Sequence, residues 1–103
     1  MNFILTTRYN DTWWAVPLDK KKEIAVQLYA FAEKYVAAGN FKESYTFPDA
    51  RIMSVWNVES FEEMMTVCLQ HPYIVNHYAD YELAPVVDHK GMDRIIASFG
   101  KAT

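Results

Sequence analysis

The segment from His71 to Glu82 holds two histidines, two carboxylates and three tyrosines in twelve positions. If a strand begins near His77, alternation places His77, Ala79 and Tyr81 on one face and Tyr78, Asp80 and Glu82 on the other. His77 beside the Tyr81 phenol would then be a general base next to a hydrogen-bond donor. The plainer reading is a histidine at a strand start bonded to backbone. Asp80 and Glu82 could act as paired carboxylates or lie at a surface or dimer rim. His71, just before Pro72, reads as a helix C-terminal residue interacting with free carbonyls. His89 sits in a polar turn and reads as solvated.

A second set of residues could hold a substrate. Trp13 and Trp14 stand side by side in the polar stretch 10–17, where a large aromatic gains by leaving water. They are expected to pack onto a pocket, a partner or the domain's own edge. Trp56 shares a strand face with Ile52 and Ser54, and is either a ligand wall or core filler. Tyr45 could present its hydroxyl to the same space. Arg8 and Arg51 are strand-end cations that could grip a substrate carboxylate in bidentate fashion, or balance Glu43 or Glu59. Cys68 lies on an apolar helical stripe and reads as core. The chain has no CxxC, HExxH, GxGxxG or P-loop pattern, so no metal site and no cofactor is expected.

The elements that must position these groups follow from periodicity. Asn2 to Tyr9 alternates, with Phe3, Leu5 and Thr7 on one face and Ile4, Thr6 and Arg8 on the other, which predicts a strand. Asp19 is a candidate cap for a helix whose stripe is Ile24, Leu28, Phe31, Ala32 and Tyr35, and Gly39-Asn40 ends it. Phe41–Phe47 and Arg51–Asn57 predict a hairpin across Pro48-Asp49. Strict alternation in the first of these groups Phe41, Glu43, Tyr45 and Phe47. Ser60 and Glu63 form a capping box for a second helix with Phe61, Met64, Met65 and Cys68 buried, closed by Pro72. Tyr78–Val87 predicts the last strand, with Pro85 at an edge or bulge. Gly91–Phe99 predicts a short C-terminal helix.

The order βαββαβ predicts a ferredoxin-like α+β unit, a four-stranded antiparallel sheet with two helices on one face. Residues 1–103 are expected to form one domain. The other sheet face carries Ile4, Met53 and Val55, which predicts a second cover such as another copy of the chain. A 51% hydrophobic and 16% aromatic chain of this length points the same way, to a homodimer or higher homo-oligomer. Net charge is −3 and only Lys20-Lys21-Lys22 is locally basic, which argues against nucleic acid. That triplet opposes a helix dipole and reads as solubilising. No apolar run approaches membrane-spanning length and one cysteine forbids an internal disulfide, so a cytoplasmic protein is expected.

The element order, the run Ser54-Val-Trp-Asn-Val-Glu-Ser-Phe-Glu-Glu63 and the following His71-Pro-Tyr-Ile-Val75 resemble the dimeric α+β-barrel superfamily. The chain is most similar in look to muconolactone isomerase-like proteins and to the darcynin-like group. The latter also carries a tryptophan after its first strand and an acidic tail, like Val87-Asp88-His89-Lys90-Gly91-Met92 here. The resemblance implies a cofactor-free small-molecule enzyme, an isomerase, cyclase or monooxygenase working on an apolar aromatic or lactone-like substrate by acid–base chemistry. The haem-degrading branch pairs a strand-1 asparagine, a strand-3 tryptophan and a helix-2 histidine. Trp56 matches the second, and His71 or His77 the third. Asn2 is too early and Asn10 too late for the first, which argues against haem. The site expected from the aromatic loop, Trp56 and the His/Asp/Tyr cluster, with no catalytic residue carried over from the resemblance, has His77 as base, with Tyr81, Tyr45 or Arg51 orienting or polarising the substrate. Trp13, Trp14, Trp56, His71 and Asp80 would bind it. The alternative is a non-catalytic ligand-binding or oligomerisation module that uses the same barrel, with the tryptophans filling an interface.

Overall fold

The alternation of the first residues becomes strand β1 (Asn2–Tyr9), in which Phe3, Leu5 and Thr7 are buried and Ile4 and Thr6 only half-buried. The structure, a computed structural model, describes residues 1–87 and 89–101. Asp88 of the acidic tail and positions 102 and 103 lie outside the described residues. Strands β2 (Phe41–Thr46), β3 (Ile52–Asn57) and β4 (Ala79–Val86) join β1 in one antiparallel sheet, in the order β2-β3-β1-β4. This is the ferredoxin-like topology expected from the element order.

Helices α2 (Leu18–Ala37) and α3 (Phe61–Gln70) supply the layer on the Phe3/Leu5 face. The main core joins Phe3, Leu5 and Trp56 of the sheet to Tyr35 of α2 and to Met64, Val67 and Cys68 of α3. Ile4, Met53 and Val55, on the other face, belong to no buried cluster. Alternation explains both results, because successive strand side chains point to opposite sides.

The capping box forms at α3. Ser60 Oγ accepts the Glu63 N–H at 3.1 Å, and the Glu63 carboxylate accepts the N–H of Glu59 at 2.8 Å, one residue before the cap. Three local readings need correction. The cap position of α2 is Pro17, which offers no side-chain cap, and Asp19 lies inside the first turn. Phe61 is exposed, while Val67 takes a buried place on α3. The stretch after β1 is a one-turn helix, α1 (Asp11–Trp14), capped by Asn10, whose Oδ1 accepts the Trp13 N–H.

A bulge in β2 changes the face assignment of that strand. The register runs Phe41↔Trp56, then Glu43↔Val55, so Lys42 is the extra residue. Phe41 therefore shares the helix-covered face with Ser44, and Glu43 and Tyr45 lie on the open one.

Two further helices complete the chain, the single turn α4 (Pro72–Val75) and α5 (His89–Lys101). Met92, Ile95, Ile96 and Phe99 of α5 are all exposed. No helix among the described residues is long and apolar enough to cross a membrane.

Candidate active-site cavity

Trp56 is the floor of the site. Its indole is 1% exposed, and Phe41 stands edge-on to it at a centroid distance of 4.8 Å. The indole Nε1–H donates to Ser54 Oγ at 2.8 Å, and the Ser54 hydroxyl donates onward to the Leu5 carbonyl at 3.3 Å. A buried indole needs such a partner, and the residue two positions earlier on the same face supplies it.

His71 closes the other side. Its backbone is extended, because α3 ends before it and Pro72 occupies the first position of α4. The side chain is 8% exposed, with Phe31 of α2 at 5.1 Å from its ring. Its Nδ1 accepts the backbone N–H of Tyr73 at 3.2 Å, so His71 caps α4. This reverses the expectation of a donor to helix carbonyls. An acceptor Nδ1 means that the proton of the neutral ring sits on Nε2. Burial in this apolar setting disfavours the charged form and lowers its pKa to about 4, so the imidazole is neutral near pH 7.

Between these walls lies a cavity of about 130 Å³. Leu28, Phe31 and Ala32 of α2 face Thr7, Ser54 and Trp56 of the sheet across it, with His71 and Tyr73 at one end. The exposed Ser44 also lines it, on the β2 side. None of the lining side chains is charged. Every buried side-chain nitrogen and oxygen among the described residues has a partner or touches accessible space. His71 Nε2 and the Thr7 hydroxyl bond to no described protein group, so both atoms touch accessible space, and both residues line the cavity.

A second concavity, about 290 Å³, lies on the open sheet face. Arg8 and Arg51 line it together with Asp80 and Glu82. It is shallow and of mixed charge. Arg51 Nε donates to Asp49 at 2.8 Å rather than balancing Glu43 or Glu59. That contact, with the Arg51 N–H to the same carboxylate, holds the Asp49 pKa below its usual value.

The expected site residues are thus divided. Trp56 and His71 meet in the cavity, while Arg51, Asp80 and Tyr81 line the open-face groove. Trp13 lines neither. It is buried in a separate aromatic cluster, stacked on Tyr9 at 4.8 Å and edge-on to Tyr73 at 5.0 Å. Trp14 is 60% exposed, and Lys21 sits within 6 Å of both indole rings, as a cation–π partner. His77 is exposed, with φ of +58°, in the turn after α4. Its carbonyl accepts from Asn10 Nδ2, and it does not line the cavity. The bulge corrects the expectation that Tyr45 reaches the Trp56 space: Tyr45 lies on the open face, and its hydroxyl donates to Glu43 at 2.6 Å. That bond to a carboxylate raises the Tyr45 pKa.

Sequence reasoning did not single out Thr7, Ser44 or Phe31 as site residues. A signal for Thr7 was present: it is the one polar member of the buried Phe3/Leu5/Thr7 face. Ser44 was hidden by the bulge. Among the described residues no three His, Cys, Asp or Glu side chains converge as metal ligands would.

The chain matches solved structures over most of its length. One is 5-chloro-2-hydroxyhydroquinone dehydrochlorinase (TftG) from Burkholderia phenoliruptrix AC1100, in complex with 2,5-dihydroxybenzoquinone. The TM-score is 0.68 at 12% identity, covering 87% of this chain and 97% of that chain. Another is muconolactone isomerase, with a TM-score of 0.69 at 19% identity, covering 86% of this chain and 91% of that one. No family model matches the chain, and none of the curated proteins does. At these identities the likeness shows a shared fold, the α+β fold expected from the resemblance in the sequence.

Proposed function

We propose that the chain is an enzyme acting on a single-ring molecule, of aromatic or lactone type, bound between the sheet and α2. The observation that carries this is the cavity of about 130 Å³ walled by Trp56, Phe31 and Leu28, with one buried neutral imidazole at its end. An apolar cavity of about 150 Å³ holds a benzene-sized guest. This cavity therefore suits one ring, not a fused polycycle, and is far too small for a tetrapyrrole. Aromatic walls would supply the binding area, and His71 the fixed polar contact. The two enzymes of like fold support the reading, since one was solved with a single-ring quinone and the other is an isomerase of a lactone. On this account His71 replaces His77 as the histidine at the chemistry. Its neutral Nε2–H suits it to hold an oxygen on which charge builds, as in isomerisation or elimination, rather than to take up a proton itself.

A thermal-shift screen with single-ring lactones, phenols and quinols tests the reading. A ligand at 100 times its Kd stabilises by about 2.7 kcal/mol, which for a domain of this size is a rise of about 10 °C. Absence of any shift across the three classes contradicts it.

We propose in addition that a second copy covers the open sheet face. Ile4, Met53 and Val55 form its apolar centre. Arg8 and Arg51 lie beside Asp80 and Glu82, so a two-fold partner can set each sign against the other.

A further inference from the structure

The cavity is apolar except for hydroxyls and one imidazole, and these polar groups are not equivalent. The Ser54 hydroxyl accepts from Trp56 and donates to the Leu5 carbonyl, so its proton is committed. Burial, with the Tyr9 phenol beside it, raises the Tyr73 pKa, so its hydroxyl stays neutral. His71 has spent its acceptor nitrogen on the Tyr73 N–H, and the nitrogen it has left is an N–H donor. Thr7, 5% exposed, carries a hydroxyl with no partner among the described residues. Both are nine-tenths buried, and they line one small cavity together with no carboxylate and no cation.

We propose that His71 Nε2–H and the Thr7 hydroxyl form a donor pair that grips one oxygen of the ring-shaped ligand. This makes the cavity selective for ketone, lactone, quinone or phenol oxygens over hydrocarbons of the same size. The inference rests on the cavity being the ligand site and adds what the ligand must carry. A cationic ligand finds no acceptor there. A carboxylate would lose its hydration with no positive charge to compensate. A neutral carbonyl is matched, because it accepts two hydrogen bonds and brings no charge. Where a reaction builds negative charge on that oxygen, as in an enolate, the same pair stabilises it without moving a proton.

The test combines two readouts on the full chain. Long-range ¹H–¹⁵N NMR of the histidine rings reports which nitrogen carries the proton. The expected result is an Nε2–H ring at neutral pH whose Nε2 resonance moves when cyclohexanone is added and stays when toluene is added. Calorimetry then compares both probes on the wild type, His71→Phe and Thr7→Val. One hydrogen bond is worth about tenfold in Kd. His71→Phe should therefore weaken cyclohexanone about tenfold or more and leave toluene within about twofold. Thr7→Val, which keeps the side-chain shape, should weaken cyclohexanone several-fold. A proton on Nδ1, or equal losses for both probes, overturns the donor pair while leaving the cavity as a ligand site. Binding of neither probe to the wild type overturns the cavity reading and the donor pair with it.

Discussion

The indole N–H of Trp56 points at the hydroxyl of Ser54, two residues earlier on the same strand, across 2.8 Å of buried space. This bond lets a large aromatic sit under the cavity without an orphaned donor. Ser54→Ala leaves the N–H unsatisfied, which costs about 1–3 kcal/mol. Urea denaturation should show that loss as a lowered midpoint with an unchanged slope. A change below about 0.5 kcal/mol would mean that the indole finds another acceptor.

His71 ties stability to pH. Its folded pKa of about 4 lies below the unfolded value of 6.5, so the unfolded chain binds the extra proton between them. Stability from this group is complete above pH 6.5 and falls as the pH drops toward 4, by roughly 3 kcal/mol in all. Chemical denaturation of the wild type and of His71→Gln across this window checks the claim. The variant should lose that part of the acid sensitivity, and parallel curves would refute it.

The adjacent tryptophans should behave as opposites. Trp13 is buried among Tyr9, Tyr73 and Tyr78, so Trp13→Ala should cost about 3–5 kcal/mol. Trp14 is largely exposed and keeps only its edge contact with Tyr9 and its place near Lys21. Trp14→Ala should stay within about 1 kcal/mol of the wild type. Similar losses for both would mean that Trp14 is covered, as an assembly interface would do.

Much of this was legible in the sequence, for physical reasons that can be traced. Apolar alternation in Asn2–Tyr9 gave β1 its faces, and the 24/28/31/35 spacing oriented α2, because burial sorts side chains by exactly those periods in helix and strand. Trp56 and His71 were visible as candidates by type. The pairing of the two was not, since α3 and the turn into α4 bring them together across the fold. Two features escaped pattern reading. One extra residue at Lys42 puts Phe41 and Tyr45 on opposite faces of the sheet. The direction of the His71 hydrogen bond depends on Pro72 starting a new helical turn, and that reverses the role read from helix-end statistics.

The open face makes a prediction of its own. Met53→Asp places a charge amid Ile4 and Val55, where a partner sheet would bury it. Light scattering at micromolar concentration should give a dimer or larger assembly for the wild type and a smaller species for the variant. A monomeric wild type would remove the second copy from the account.

The central claim is that the cavity between the sheet and α2 is where a single-ring ligand sits. The most direct measurement is a crystal structure with phenol. The account predicts the phenol ring lying against Trp56 and Phe31, its oxygen within hydrogen-bond distance of His71 Nε2. Phenol found only on the open face, or a cavity filled by the chain's own side chains, would contradict it.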